Sequence, residues 1–385
     1  MISKEKKKRI VIISPAYPYR GGQALLESHL YQTLTDLGYT CYTISYKLLY
    51  PALLFPGTTQ YDNSKKVHCD HIDRIWRIIN SINPLSWVRA ARKTKQIDPH
   101  AVVVIWWMPF FGPALGTISY LVKKWTKSQV VFLIENYISH EERWFDKIFT
   151  QLTLRLADHF ICESEYIFKK LSQGFPHIPI YRTTLPVYDW YDFKQFDKQQ
   201  AKDFLGIKTR NVVLFFGYIR AYKGLDILIK AFNRLLAVYP DTTLLIVGEC
   251  YEDKQQYMNL LAAEDLMHKT IFVNRYIANE DVEPYYKAAD LVCLPYKSAT
   301  QSGIVMMSYG FKRPVVTTNV GGLPELVQEG QTGVIVPAGQ IEKIADGMIK
   351  VLNLQSSVNF EKNIEDFTKE LGHKNIEQFF SAITT

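Results

Sequence analysis

Two cations stand three positions apart in the middle of the chain, directly after an apolar run. Arg220 and Lys223 follow Val212–Phe216 in the segment FFGYIRAYKGLD, and Gly224 comes next. An arginine binds two oxyanion oxygens with its fork of N–H groups, whereas a lysine contributes one compact charge. Because both side chains leave the same turn, their charged ends can converge on one anion. The spacing therefore predicts a diphosphate site. Two solvated cations are the alternative, which the dipole of the following helix opposes.

A run of small polar residues opens a second predicted helix, which ends at Phe311. The segment reads SATQSGIVMMSYGF. Hydroxyl side chains favour the position before a helix, and the N–H groups of its first turn bind anions. A helix merely capped by serine is the alternative. The candidate ligand-binding residues of this segment are Thr300, Gln301, Ser302, Gly303, Ile304 and Ser308.

Glycines at three predicted strand ends permit a ligand to approach the backbone closely. Gly21 and Gly22 occur in SPAYPYRGGQALL, which differs from the Gly-x-Gly-x-x-Gly of dinucleotide-binding turns. Gly217 and Gly248 each end an apolar run. Tyr276 follows a later strand, where its ring is either a nucleobase contact or a half-buried loop residue.

Short apolar runs alternate with longer helical patterns throughout the chain. The runs are continuous rather than alternating, which is typical of parallel strands covered on both faces. A length of 385 residues exceeds one ordinary domain and fits two. We therefore predict an α/β protein with two Rossmann-like domains. The predicted strands are Arg9–Ser14, Cys41–Ser45, Val102–Trp106, Val130–Ile134, His159–Cys162, Ile178–Arg182, Val212–Phe216, Thr243–Val247, Ile271–Val273, Leu291–Leu294, Pro314–Thr317 and Val334–Val336.

The alternation lapses between about residues 183 and 211, where the chain is polar, aromatic and weakly helical. We predict an N-terminal Rossmann-like domain at residues 1–187 and a C-terminal Rossmann-like domain at residues 188–385. The final helical pattern, Phe360–Thr385, has no strand after it. It is a candidate to pack back on the first domain.

Composition narrows the classes of protein to consider. Apolar residues make up 47% and charged residues 22% of the chain, as is usual for globular proteins. The five cysteines form no Cys-x-x-Cys pair, which favours reduced thiols in a cytoplasmic protein. The apolar runs are shorter than the roughly 20 residues of a membrane-spanning helix. No metal-ligand cluster and no basic stripe for nucleic acid is visible, so neither ligand is expected.

The order of these segments resembles the retaining glycosyltransferases of family 4, the glycosyl transferases group 1, which have the GT-B fold. The resemblance implies two Rossmann-like domains facing each other across a cleft, with residues 1–187 on the acceptor side and residues 188–385 binding the nucleotide-sugar. The match is specific from about residue 212 to 336 and looser over residues 10–165. The resemblance implies transfer of a sugar from a nucleotide diphosphate sugar, UDP- or GDP-linked, without a metal or other cofactor. In the pattern Gly-x-x-Arg-x-x-Lys-Gly, it implies that Arg220 and Lys223 contact the diphosphate and stabilise its departure. Glycan or lipid-linked acceptors are expected, as in bacterial surface polysaccharide synthesis.

The chain departs from this family at two places. Thr300 and Ser308 stand where many members have glutamate, and neutral hydrogen bonds contribute only about 1 kcal/mol each. Glu135 follows a central strand of the first domain, where a histidine is common, and is a candidate catalytic residue facing the acceptor hydroxyl. His140 and Glu141 are a second possibility. These departures leave two alternatives open: a catalytically degenerate nucleotide-sugar-binding relative or partner subunit, and a sugar-nucleotide epimerase.

Aromatic and basic residues are mixed in three segments of the first domain, Trp76-Arg77, Trp87–Lys93 and Lys123–Lys127. Lys and Arg exceed Asp and Glu by seven in the whole chain. Such mixtures are typical of proteins that bind anionic lipid at a membrane interface. Tryptophans in the core with cations in water are the alternative. A peripheral position on the inner face of the plasma membrane is therefore one candidate localisation.

Overall fold

The computed structural model describes residues 7–52, 55, 57–64, 71–137, 144–369, 371–372 and 376–384. The chain divides into two compact units. The first unit draws on residues 1–63, 68–184 and 373–385, and the second on residues 64–67 and 185–372. The chain thus passes from the first unit to the second after Thr184, whereas the sequence predicted the domain boundary after residue 187.

The first unit is built on a seven-stranded parallel sheet with the strand order β3-β2-β1-β4-β5-β6-β7. The central strands β4 and β5 are almost entirely buried, which explains their continuous apolar sequences. The strands are β1 (Arg9–Ile13), β2 (Thr40–Leu48), β3 (Ile75–Asn80), β4 (Ala101–Trp106), β5 (Gln129–Ile134), β6 (His159–Cys162) and β7 (Ile180–Arg182).

Strand β3 is the one strand of this sheet that the sequence pattern failed to predict. It lies at the edge of the sheet, and only Ile75 and Ile79 of its six residues are buried. A strand that is covered on one side lacks the continuous apolar run by which the other strands were recognised. The prediction of six strands in the first half was therefore wrong by one.

Six helices lie in the described part of the first unit. They are α1 (Gly22–Asp36), α2 (Pro84–Ile97), α3 (Gly112–Trp125), α4 (Trp144–Leu154), α5 (Glu165–Gly174) and, from the end of the chain, α13 (Ile376–Ile383). Helix α2 packs on α3, and α3 packs on α4. In α13, Phe380 is fully buried beside Tyr39, and the ring of Phe379 lies 5.0 Å from that of Tyr181.

The second unit contains a six-stranded parallel sheet with the order β10-β9-β8-β11-β12-β13. The strand order reverses between β8 and β11, and ligands of such sheets bind at the carboxyl ends beside the reversal. The strands are β8 (Asn211–Phe216), β9 (Thr242–Val247), β10 (Thr270–Val273), β11 (Leu291–Leu294), β12 (Val315–Thr318) and β13 (Gly333–Val336). The helices are α6 (Lys198–Phe204), α7 (Leu225–Leu236), α8 (Lys254–Ala263), α9 (Glu283–Ala288), α10 (Gly303–Gly310), α11 (Ile341–Leu354) and α12 (Phe360–Thr368).

Both units therefore have the predicted Rossmann-like α/β architecture. None of the helices in the described parts of the chain combines the length and apolar character needed to cross a bilayer.

Candidate functional site

The parallel strands of the second unit bring several predicted residues to one edge of its sheet. Gly217 follows β8, and a Cβ atom added to it would lie 3.2 Å from both Lys223 Nζ and Ile304 Cδ1. The end of β8, the Lys223 ammonium and the first turn of α10 therefore meet at one place. Gly217, Lys223 and Ile304 were each predicted as ligand-binding residues, and the fold brings them into contact distance.

Gly248 has a backbone that only glycine adopts without strain. Its φ is +149°, and an added Cβ would lie 1.9 Å from the carbonyl oxygen of Gly217. A side chain at this position would push the end of β9 away from the end of β8. The glycine thus allows the two strand ends to approach each other at the edge of the sheet.

Lys223 is a buried cation in a short 3₁₀ turn, Ala221–Lys223, between β8 and α7. Only 8% of its surface is exposed, and Nζ lies 5.4 Å from the centre of the Tyr296 ring. Its ammonium donates to no acceptor and pairs with no carboxylate in the described part of the chain. Burial, together with the nearby Arg220, lowers its pKa to about 8. An ammonium held in such surroundings is stabilised by an anionic ligand.

Arg220 lies against an aromatic pair that the sequence analysis did not identify. Its guanidinium carbon is 5.0 Å from the centre of the Tyr251 ring, which stacks on Tyr218 at 4.8 Å. Two backbone hydrogen bonds join the strand ends that carry these residues, from Ile219 N to Glu249 O (3.0 Å) and from Tyr251 N to Ile219 O (3.1 Å). The stacked tyrosines therefore restrict the orientation of the Arg220 side chain.

Glu252 stabilises the turn that carries Arg220 and Lys223 through hydrogen bonds. Its carboxylate accepts hydrogen bonds from the Ala221 N–H at 2.5 Å and from the Tyr257 hydroxyl at 2.8 Å. Ala221 lies between Arg220 and Lys223, so this carboxylate orders the backbone that carries both cations. The sequence pointed to neither residue except by position, since Tyr251 and Glu252 come shortly after Gly248 at the end of β9.

Replacement of Tyr251 by alanine is expected to weaken diphosphate binding about fivefold, whereas phenylalanine is expected to bind nearly as the native residue does. The phenyl ring retains the cation–π contact with Arg220, which contributes about 1 kcal/mol, and alanine removes it. Isothermal titration calorimetry measures both affinities. In an Arg220→Ala background the Tyr251→Ala change should have no further effect. Equal losses in both backgrounds would show that Tyr251 does not act through Arg220.

The polar residues before α10 are buried, and serine caps the helix as predicted. Ser302 Oγ accepts a hydrogen bond from Ile304 N at 3.3 Å, and Thr300, Ser302 and Ser308 are at most 6% exposed. Ser308 Oγ donates to the carbonyl of Ile304 at 2.7 Å, one turn back in the helix. Gln301 and Tyr276 are half buried. Met306 and Met307 are buried packing residues.

In the first unit, Glu135 and the Gly21–Gly22 turn meet at the carboxyl edge of the sheet. Gly21 precedes α1 with φ +111°, and Gln23 in the first turn of α1 donates from Nε2 to Glu135 Oε2 at 2.8 Å. Glu135 follows β5 directly and is only 8% exposed. Gln23 was not predicted, although it stands next to the glycine pair.

Burial raises the pKa of Glu135 to about 8; the hydrogen bond from Gln23 acts in the opposite direction, and the neighbouring carboxylate of Glu163 adds to the rise. Glu163 follows β6 as Glu135 follows β5, and it is 2% exposed. Glu135 is therefore a carboxylic acid at neutral pH that ionises slightly above it. His140 and Glu141, the second possibility for this role, lie outside the described residues.

The described residues contain no group of three or more histidine, cysteine or acidic side chains arranged to hold a metal ion. In the second unit, Arg220, Lys223 and the first turn of α10 are suited to an anionic ligand.

Comparison with known proteins adds an independent observation. Residues 210–354 match the family described as Glycosyl transferases group 1, and this range contains the strand ends, the cations and helix α10. The chain carries a glycosyl transferases group 1 domain. The predicted resemblance to glycosyl transferases group 1 is thereby confirmed for this part of the chain.

Two curated relatives each match about two fifths of the chain. An uncharacterized glycosyltransferase of Haemophilus influenzae is 29% identical over 153 residues, which cover 40% of this chain and 42% of the relative. The D-inositol 3-phosphate glycosyltransferase of Segniliparus rotundus is 30% identical over 154 residues, covering 39% of this chain and 34% of the relative. The chain thus spans well under half the length of these relatives.

Solved structures resemble the chain over nearly its full length. The sucrose-phosphate synthase of Thermosynechococcus elongatus gives a TM-score of 0.76 at 17% identity and covers 98% of both chains. Anabaena HepE in complex with UDP-glucose gives 0.75 at 16% identity, covering 97% of this chain and 98% of HepE. At these identities the likeness concerns the fold alone. It confirms the predicted GT-B class, in which a glycosyl transferases group 1 domain is one of two Rossmann-like domains.

Proposed function

We propose that the protein is a retaining glycosyltransferase that moves a sugar from a UDP- or GDP-linked donor to a glycan or lipid-linked acceptor. The second unit would bind the donor and the first the acceptor. The observation that carries the proposal is the buried Lys223 ammonium, which lacks an acceptor among the described residues and lies beside Gly217 and Ile304. The family match over residues 210–354 supports the same assignment.

A diphosphate leaving group suits this arrangement of charges. Arg220 would bind two phosphate oxygens and Lys223 a third, while the Gly303 N–H would add a neutral donor. Negative charge grows on the diphosphate as the bond to the sugar breaks, and fixed cations stabilise that charge most in a buried site. With two cations in this role the reaction would need no metal. Retention would follow from attack on the face that the diphosphate leaves.

The first unit would bind the acceptor through the carboxyl edge of its sheet. Glu135 is buried at the carboxyl edge of its sheet, in contact with Gln23 beside the glycine pair. A carboxyl group with a pKa of about 8 is suited to accept a proton from an acceptor hydroxyl near neutral pH. We also propose a role in bacterial surface assembly, since one relative is spore coat protein SA of Bacillus subtilis, which is 23% identical over 54% of this chain.

The direct experiment measures binding of UDP, GDP and ADP to the purified chain by calorimetry. It then measures nucleotide release from the matching sugar nucleotides with candidate acceptors. We expect one of the first two nucleotides to bind at micromolar affinity. Absence of binding by all three, in protein that unfolds cooperatively on heating, would refute the proposal.

A catalytically degenerate nucleotide-sugar binder is the second candidate, and Thr300 and Ser308 favour it. Both are neutral at positions where many related enzymes carry glutamate, and the Ser308 hydroxyl already donates within its own helix. This candidate predicts donor binding without nucleotide release in the presence of any acceptor. An epimerase, by contrast, would convert the donor sugar with no acceptor present.

Donor binding should depend on pH through Lys223. Its pKa of about 8 in the free protein means that the ammonium is charged below pH 8 and neutral above it. The affinity for UDP is therefore expected to be constant between pH 7 and 7.5 and to fall by up to about tenfold per unit above pH 8. Calorimetry at intervals up to pH 9.5 measures this dependence. A flat profile would separate Lys223 from the phosphates.

A further inference from the structure

One face of the first unit has a strongly asymmetric charge. Helices α2, α3 and α4 pack side by side, so they form one continuous layer over the sheet. Together they contain seven lysines and arginines but one acidic residue, Asp146, which is 4% exposed. The whole chain has a net charge of +7. Most of the positive excess is thus concentrated on this helix layer.

The cations of α2 form a stripe on the side of the helix away from the core. Ala90, Ala91 and Thr94 are buried, whereas Arg89 and Arg92 are exposed one turn apart. Neither arginine forms an ion pair with another described residue. On α3, Lys124 is likewise exposed and unpaired within the described chain, while Lys123 pairs with Asp158 at 2.5 Å.

Large apolar side chains are exposed among these cations. Leu85 at the start of α2 is 67% exposed, Tyr120 on α3 is 53% exposed, and Ile148 and Leu152 on α4 are 48% and 45% exposed. Ile148 and Leu152 are four residues apart, so they lie next to each other on the outer side of α4. Isolated exposed apolar residues are common, but here they occur on three neighbouring helices together with the excess of cations.

The tryptophans of the three segments singled out in the sequence are engaged in the fold instead. Trp87 Nε1 donates to the carbonyl of Asn80 at 2.7 Å, and Lys93 Nζ lies 4.2 Å from the centre of the Trp76 ring. Both rings are half buried. The apolar contribution of this face therefore comes from aliphatic side chains and Tyr120.

We propose that the outer face of α2, α3 and α4 binds a bilayer that contains anionic lipid. Cations attract the headgroups, and apolar side chains between them enter the boundary between headgroups and acyl chains. Charge complementarity alone would also fit a nucleic acid, but exposed leucine and isoleucine beside the cations gain nothing from a phosphate backbone. This binding goes beyond the proposed transfer reaction and does not depend on it.

The test is co-sedimentation of the full chain with vesicles of phosphatidylcholine, alone or with about 30% phosphatidylglycerol. We expect binding only to the vesicles with phosphatidylglycerol, and release of the protein at high salt. The double variant Arg89→Glu and Arg92→Glu should bind at least about 30-fold more weakly, since each basic residue near an anionic surface contributes about fivefold. Ile148→Ser with Leu152→Ser should weaken binding about tenfold while leaving the salt dependence in place.

The matched control reverses two exposed cations of the second unit, Lys208→Glu and Arg210→Glu, which changes the net charge equally. This control should bind the vesicles as the native chain does. Unfolding temperature and far-UV circular dichroism report whether each variant is folded. Equal binding to both vesicle types, or equal losses in the control and in the α2 variant, would overturn the proposal. Binding to polyuridylate without binding to either vesicle would reassign the face to nucleic acid.

Discussion

Replacement of Lys223 by methionine is expected to reduce UDP or GDP binding at least about 100-fold and, at the same time, to stabilise the ligand-free protein. The loss follows from removal of a buried charge–phosphate interaction, whose truncation typically costs several kcal/mol. Methionine fills a similar volume without placing a charge beside Tyr296 and Arg220. Calorimetry with the nucleotide and chemical denaturation without it measure the two effects.

The stabilising effect has a defined sign and pH range. The pKa of Lys223 is lowered from 10.5 to about 8 on folding, so the unfolded chain binds more protons between these values. The free energy of unfolding of the native protein therefore rises with pH from about 8 to 10.5. Below pH 8 the buried charge costs up to about 3 kcal/mol, which Lys223→Met recovers.

Lys230→Met provides the matched control, because Lys230 is an exposed lysine on α7 in the same unit. It should alter neither nucleotide affinity nor stability by more than about 0.5 kcal/mol. If Lys223→Met binds UDP normally, the diphosphate site is elsewhere. If binding is lost together with stability, the lysine is a structural residue, and the proposed site loses its main support.

Replacement of Glu135 by glutamine is expected to lower kcat about 100-fold at pH 8.5 with a change of less than about twofold in donor affinity. Burial raises the pKa of this carboxyl to about 8, so the carboxylate that accepts the acceptor's proton is abundant only above that pH. The native kcat at saturating donor should therefore rise through pH 8, whereas that of the glutamine variant should be flat. Steady-state rates between pH 6.5 and 9 measure both profiles.

A second variant checks that the profile belongs to Glu135. The neighbouring Glu163 raises the pKa of Glu135, so Glu163→Gln should shift the rise in kcat to lower pH. Equal rates for native protein and Glu135→Gln would remove Glu135 from the reaction. An equal fall in kcat and donor affinity would instead assign it to donor binding.

The strands of this protein were predictable where burial leaves a continuous apolar sequence. Val212–Phe216 is buried throughout, and its predicted bounds differ from those of β8 by one residue. The edge strand Ile75–Asn80 was missed because it is buried on one side only. The apolar pattern of a strand reflects how much of the strand is buried. An edge strand has fewer buried residues, so its sequence predicts it less clearly.

Contacts within the candidate site were predictable from residue spacing only where the residues are close in sequence. Arg220 and Lys223 lie on one turn, so their spacing indicated a shared ligand. Gln23 contacts Glu135 across 112 positions, and Glu252 contacts Ala221 across 31. Such pairs depend on the order of strands in the sheet, which residue spacing does not reveal. The raised pKa of Glu135 likewise follows from three-dimensional burial.

The return of the last helix to the first unit determines how the gene can be divided for expression. A clone that stops after Thr184 encodes all seven strands of the first sheet but omits Ile376 and Phe380, both fully buried there. The truncated product would expose Tyr39 and Tyr181 to solvent where α13 covers them. We therefore expect the isolated first unit to fold best when residues 376–384 are joined to that clone through a flexible linker.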